Sequence, residues 1–87
     1  MTPTETVVAR IYAEFLRVRH VERDDDLFGL GGDSMQAVRI LLAIEERFGM
    51  IVPPEVLDIN RDVGSMAAWI DAHRRSPPTT AGLPSAG

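Results

Sequence analysis

Gly31-Gly32-Asp33-Ser34 is the stretch of this chain whose residue types and spacing could do chemistry. With Gly29, it places three glycines in four positions, which permits positive φ angles and close approach of another molecule to the backbone. The apolar rhythm that follows predicts a helix beginning at Asp33 or Ser34. A helix start offers unpaired N–H groups and the positive end of the dipole. A hydroxyl placed there is exposed, and a phosphate attached to it is stabilised by those N–H groups. The plainer reading is an N-cap after a glycine turn, among the commonest uses of Ser and Asp. Local spacing alone leaves both open.

The other chemistry-bearing residues lead nowhere as specific. Asp24-Asp25-Asp26 invites a calcium loop, but no Glu stands twelfth from Asp24 and the glycine spacing does not match. A solvated acidic loop is the reading that remains. His20 and His73 are far apart with no ligand pattern around either, so both read as surface or helix-end residues and no metal site is expected. A Ser-His-Asp hydrolase needs a pocket and an oxyanion site that 87 residues can hardly enclose, so no catalytic residue is expected. There is no cysteine, which excludes disulfides, Cys-containing metal sites and thiol nucleophiles. The core must hold the fold unaided.

The elements that must position Ser34 are legible from punctuation and periodicity. Thr2 can cap a first helix, Pro3 suits its first position, and Glu5 completes a capping-box pattern. Val8, Ile11, Tyr12, Phe15 and Leu16 then mark one buried face, and the helix is expected to fade near Val18 to His20. A second helix runs to about Phe48, with Asp33 and Gln36 as a capping-box-like pair and Gly49 as the stop. Pro53-Pro54 can open a short third helix through about Ile59. A fourth, capped by Asp62 or Ser65, carries Met66, Trp69 and Ile70 on one core face and ends at Arg74-Arg75. No segment alternates long enough to argue a strand. The expected fold class is all-α: a four-helix bundle of three longer helices plus a short third one, with a long loop between the first two. One domain spans residues 1–75, and the proline-, glycine- and threonine-rich residues 76–87 read as a disordered tail.

That loop, Arg19 to Asp33, is about fifteen residues long, a length that is uncommon and often functional. Its Leu27, Phe28 and Leu30 are expected to tuck against the bundle. It holds Glu22, Asp24, Asp25, Asp26 and Asp33 against Arg19 and Arg23, and so carries three of the four net negative charges. A net charge of −4 disfavours nucleic-acid or anionic-membrane partners. No apolar run approaches the roughly 20 residues of a membrane span. Met1-Thr2-Pro3-Thr4-Glu5 lacks the start of a signal peptide, so a cytoplasmic location is expected.

The helix behind Ser34 carries a further signal. At about 100° per residue, Ala37, Ile40, Leu41, Ile44 and Phe48 share a core stripe. Met35, Val38 and Leu42 form a second apolar stripe on the serine's side. That second stripe is either covered by the loop or by the fourth helix, or it is a docking surface beside Ser34.

Phe28-Gly29-Leu30-Gly31-Gly32-Asp33-Ser34-Met35 resembles the phosphopantetheine-attachment signature of the acyl and peptidyl carrier protein family. Arg47-Phe48-Gly49-Met50-Ile51-Val52-Pro53 and Val63-Gly64-Ser65-Met66-Ala67-Ala68-Trp69-Ile70 look like the second-helix exit and fourth helix of the same family. One departure is Asp58-Ile59-Asn60-Arg61-Asp62, where the family often has an aromatic-and-proline lead-in. The resemblance covers residues 5–73. Gly-Gly-Asp-Ser with Arg39 five residues on is most like a peptidyl carrier of nonribosomal peptide assembly; Met1 with the tail suggests a free-standing one, with a domain excised from a longer chain as the alternative.

The resemblance implies that Ser34, flanked by Gly32 and Asp33, receives 4′-phosphopantetheine from coenzyme A through a magnesium-dependent phosphopantetheinyl transferase. It implies a non-catalytic monomer that holds acyl or aminoacyl thioesters for an adenylating or loading enzyme and for condensing or tailoring enzymes. The setting it points to is nonribosomal peptide or hybrid polyketide biosynthesis, antibiotics included. Asp33 matches the acidic residue tied to transferase recognition; Met35, Val38, Arg39 and Leu42 match positions that contact partners. The competing reading is a small helical interaction module that uses the Met35, Val38 and Leu42 patch without a covalent cofactor.

Overall fold

The computed structural model describes residues 1–74 of the 87. They form four helices in the order α1 (Pro3–Leu16), α2 (Ser34–Phe48), α3 (Pro54–Ile59) and α4 (Val63–His73). Among the described residues there is no strand; extended backbone meets only in the isolated bridge of Asp26 with Asp62. The all-α expectation of three longer helices and a short third one holds. The expected tail, residues 76–87, lies outside the described residues, as does Arg75.

The three longer helices start where a capping side chain stands. Thr2 accepts the N–H of Glu5, and the Glu5 carboxylate accepts the N–H of Thr2, closing the capping box at the head of α1. Asp33 caps α2 through the Gln36 N–H at 2.9 Å, which is half of the expected reciprocal pair. Asp62, rather than Ser65, caps α4 by accepting the Ser65 N–H at 3.0 Å. Gly49 ends α2 in the left-handed conformation with φ 65°. α1 stops earlier than expected, at Leu16, because Arg17 turns left-handed (φ 58°) and the carbonyl of Ala13 takes the N–H groups of Arg17 and Val18. Without a glycine there, the sequence carries no stop signal.

The core lies where α1 packs against α4 and α2, with α3 against α2. Val8, Tyr12, Ile40, Ile44, Met66 and Ile70 are fully buried in it. Each such aliphatic side chain contributes about 1.5–3 kcal/mol of burial, and this must suffice without disulfides. Phe15, Leu16 and Trp69 pack against that core only partly buried. Trp69, expected in the core, instead stacks its ring on His73 with centroids 4.1 Å apart.

The long loop is fastened to the head of α4. The N–H of Leu27 donates to the Arg61 carbonyl, that of Val63 to Asp25, and that of Gly64 to Arg23. The Tyr12 hydroxyl reaches up from α1 to the same Arg61 carbonyl at 2.8 Å. Glu5, buried at the head of α1, holds Arg23 at 3.3 Å. A segment with no periodicity is thus pinned to two helices.

Candidate functional site

Leu27 is the loop's anchor: it is fully buried, and the chain folds back over it so that the Gly32 N–H donates to the Leu27 carbonyl at 3.0 Å. Two glycines make that turn possible for different reasons. Gly31 has φ +96°, a conformation that side-chain-bearing residues rarely adopt. Gly32 sits so close to Leu27 that a Cβ would lie 2.7 Å from its Cδ2 and 2.9 Å from its carbonyl oxygen. The turn delivers the chain to Asp33, and the helix begins at once.

Ser34 is therefore the first residue of α2, and it is exposed. Among the described residues its hydroxyl makes no hydrogen bond, and the N–H groups of Ser34 and Met35 meet no acceptor. Asp33 uses one carboxylate oxygen on the Gln36 N–H and leaves the other without a protein partner among them. An accessible nucleophilic oxygen thus stands at the positive end of a helix, beside a carboxylate with spare capacity.

From Ser34 a groove of about 380 Å³ runs between α2 and α3. Its walls are mainly apolar, from Ala37, Val38, Leu41 and Leu42 on α2 and Val52, Pro54 and Leu57 opposite. Glu45 builds that second wall: its carboxylate accepts the Val52 N–H at 2.8 Å, which draws the chain after Gly49 back along α2. The second stripe predicted on α2 stands open rather than covered, with Met35, Val38 and Leu42 more than half exposed. Arg39 is exposed among them.

Phe28 is a correction. Expected to tuck into the bundle with Leu27 and Leu30, it is instead exposed at the rim of the groove, and the Arg61 guanidinium covers its ring. The loop can bury only the side chains on the inside of its turn, and Leu27 fills that place. The α3 side of the groove is likewise not legible in the sequence. Val52, Pro54 and Leu57 come opposite Ser34 through tertiary packing, which leaves no periodic mark.

Three of the loop's five acids are occupied locally. Asp25 accepts the Glu22 N–H, Asp26 accepts those of Phe28 and Gly29, and Glu22 pairs with His20. Among the described residues, no three His, Asp or Glu side chains converge as a metal site would require. No helix there is long and apolar enough to cross a membrane.

Residues 6–70 match the family model described as the phosphopantetheine attachment site. The chain belongs to this family of carrier proteins. The carrier domain is 39% identical over 71 residues to part of a linear gramicidin synthase polypeptide of Brevibacillus parabrevis; the match takes in 82% of the chain and 1% of the synthase polypeptide. BlmI, a type-II acyl carrier protein from Streptomyces verticillus involved in bleomycin biosynthesis, superposes with a TM-score of 0.76. It is 32% identical, with 79% of this chain and 83% of BlmI covered. A peptidyl carrier protein solved with the phosphopantetheine transferase Sfp and coenzyme A shares the fold, with a TM-score of 0.80 at 19% identity over 84% and 95% of the two chains. The chain is thus a carrier domain akin to those of nonribosomal peptide and hybrid polyketide synthases, and 4′-phosphopantetheine is its family's cofactor.

Proposed function

We propose that Ser34 is the attachment residue and that the domain, itself non-catalytic, carries acyl or aminoacyl groups in natural-product biosynthesis. The observation that supports this best is the exposed Ser34 hydroxyl at the first position of α2, opening onto the groove between α2 and α3.

The site fits the cofactor on its own features. The N–H groups of Ser34 and Met35 are available to a phosphodiester on the Ser34 oxygen, and the helix dipole favours its charge. In the attachment step the Ser34 oxygen bonds to the pantetheine-side phosphorus of coenzyme A. The pyrophosphate P–O bond breaks, adenosine 3′,5′-bisphosphate leaves, and the hydroxyl proton passes to the transferase. Asp33 would offer its unpaired carboxylate oxygen to the magnesium ion that the transferase reaction requires, while its other oxygen keeps α2 capped. Gly32, unable to carry a side chain, holds the turn that presents Ser34. When attached, the arm supplies a terminal thiol, which the cysteine-free chain lacks, to hold cargo as a thioester.

Met35, Val38, Arg39 and Leu42 form the face that partner enzymes read: a phosphopantetheinyl transferase first, then adenylating or loading enzymes, then condensing or tailoring enzymes. The domain acts as a monomer in the cytoplasm, in nonribosomal peptide or hybrid polyketide assembly.

Incubation with coenzyme A, magnesium and a broad-specificity transferase, followed by intact-mass measurement, tests this. The expected result is a gain of one phosphopantetheinyl unit in the parent and none in Ser34→Ala. No gain with several such transferases would leave the patch as a plain docking surface and sink the carrier reading. Equal gain in Ser34→Ala would move the site elsewhere.

A further inference from the structure

Arg61 is held in the structure from two sides. Its carbonyl oxygen accepts the Tyr12 hydroxyl at 2.8 Å and the Leu27 N–H at 3.1 Å, so its backbone is fixed by the core and the loop anchor. Its side chain, half exposed, reaches the other way: Nε lies 3.5 Å from Asp26 Oδ2, and Cζ lies 5.7 Å from the centroid of the Phe28 ring. Asp26 is in turn the hub of the glycine turn. Its Oδ1 accepts the N–H of Phe28 at 2.7 Å and of Gly29 at 3.4 Å, and its carbonyl accepts that of Leu30 at 2.9 Å. Phe28 lines the groove together with Ser34.

We propose that the Arg61 side chain is a latch that holds the Asp26–Gly32 turn, and Phe28 with it, in the position from which Ser34 is approached. Arg61 is then a positioning residue for modification of Ser34, an inference that rests on Ser34 being the attachment residue. The guanidinium suits this use because one flat group can pair with a carboxylate and lie over an aromatic ring. Each contact is weak at an exposed site, so the latch biases a loop rather than holding up a fold. Its removal lowers the fraction of molecules with a competent turn, which raises the apparent KM of the transferase reaction and spares kcat.

Two variants and their combination test this. Arg61→Ala keeps the backbone carbonyl that the core uses. Asp26→Asn keeps the side-chain oxygen that accepts the Phe28 and Gly29 N–H groups. Each is expected to raise KM for transferase loading about three- to tenfold with kcat within about twofold. The double variant should cost no more than Arg61→Ala alone, since the Arg61–Asp26 contact is then removed twice. Arg61→Lys, which retains the charge but not the flat stack, should fall between parent and Arg61→Ala. Hydrogen exchange at the Leu30, Gly31 and Gly32 amides is the second readout. It should speed up about three- to tenfold in Arg61→Ala, while core amides of α1 and α4 keep their protection. Unchanged KM and exchange in Arg61→Ala, or fully additive effects in the double variant, would overturn the latch. A parent that is never loaded would instead refute the Ser34 reading, and the exchange measurement would still decide whether Arg61 holds the turn.

Discussion

The two glycines before Asp33 are not interchangeable, and the difference is measurable. Gly32→Ala places a methyl against the Leu27 carbonyl, which is backbone and cannot rotate away. The expected loss is about 1–3 kcal/mol, read from urea unfolding with an unchanged slope; a loss below about 0.5 kcal/mol would show that the turn yields easily. Gly31→Ala meets nothing within 4 Å, but its φ of +96° must be strained, at about 1 kcal/mol or more. Tyr12 offers a test by pH. Burial first, then the negative charges of Asp62 and Asp26, push its hydroxyl well above its ordinary value. Because the folded state favours the neutral form, that stability is complete below the ordinary tyrosine value of about 10 and is lost as the pH rises beyond it. Stability measured at about pH 8 and about pH 11 should fall more in the parent than in Tyr12→Phe. An equal fall would mean that Tyr12 titrates as it does in the unfolded chain.

Helix α2 has two apolar stripes that answer different questions. Ile40 and Ile44 are fully buried and hold the bundle, whereas Met35, Val38 and Leu42 lie outside its core and are more than half exposed. Leu42→Asp separates the roles. It removes only the part of Leu42 that is not already exposed, and its charge faces Glu45 and Glu46 three and four residues on, a repulsion of about 0.2–0.5 kcal/mol per pair. Helicity and the unfolding midpoint should therefore stay almost unchanged while transfer to and from partner enzymes weakens about tenfold or more. Unfolding instead would show that this stripe belongs to the core. Both stripes are readable from spacing alone, as are Thr2, Asp33, Asp62 and Gly49 at the helix ends, because caps and periodicity are local. Arg17 and Phe28 are not. The left-handed stop at Arg17 has no glycine to announce it, and the aromatic ring turned outward under Arg61 depends on a neighbour far along the chain.

At the scale of the whole molecule, the loop both fastens the bundle and sets its charge. Some of its acids are spent inside: Asp26 on Arg61 and the glycine turn, Asp25 on the Glu22 N–H. Arg23, one of its two arginines, is drawn to the buried Glu5. Asp24 and Asp33 are exposed, so the loop leading to Ser34 presents negative charge to an approaching enzyme. Such a field acts on encounter more than on the bound complex. Raising salt from about 0.05 M to about 0.3 M, which shortens the screening length to about 6 Å, should lower kcat/KM for loading severalfold and leave kcat alone. Asp24→Asn with Asp25→Asn should flatten that dependence. The asparagine at 25 keeps an acceptor for the Glu22 N–H, so the unfolding midpoint should hardly move. A parent whose loading ignores salt would show that partners do not use the loop's charge and that its acids serve the fold alone.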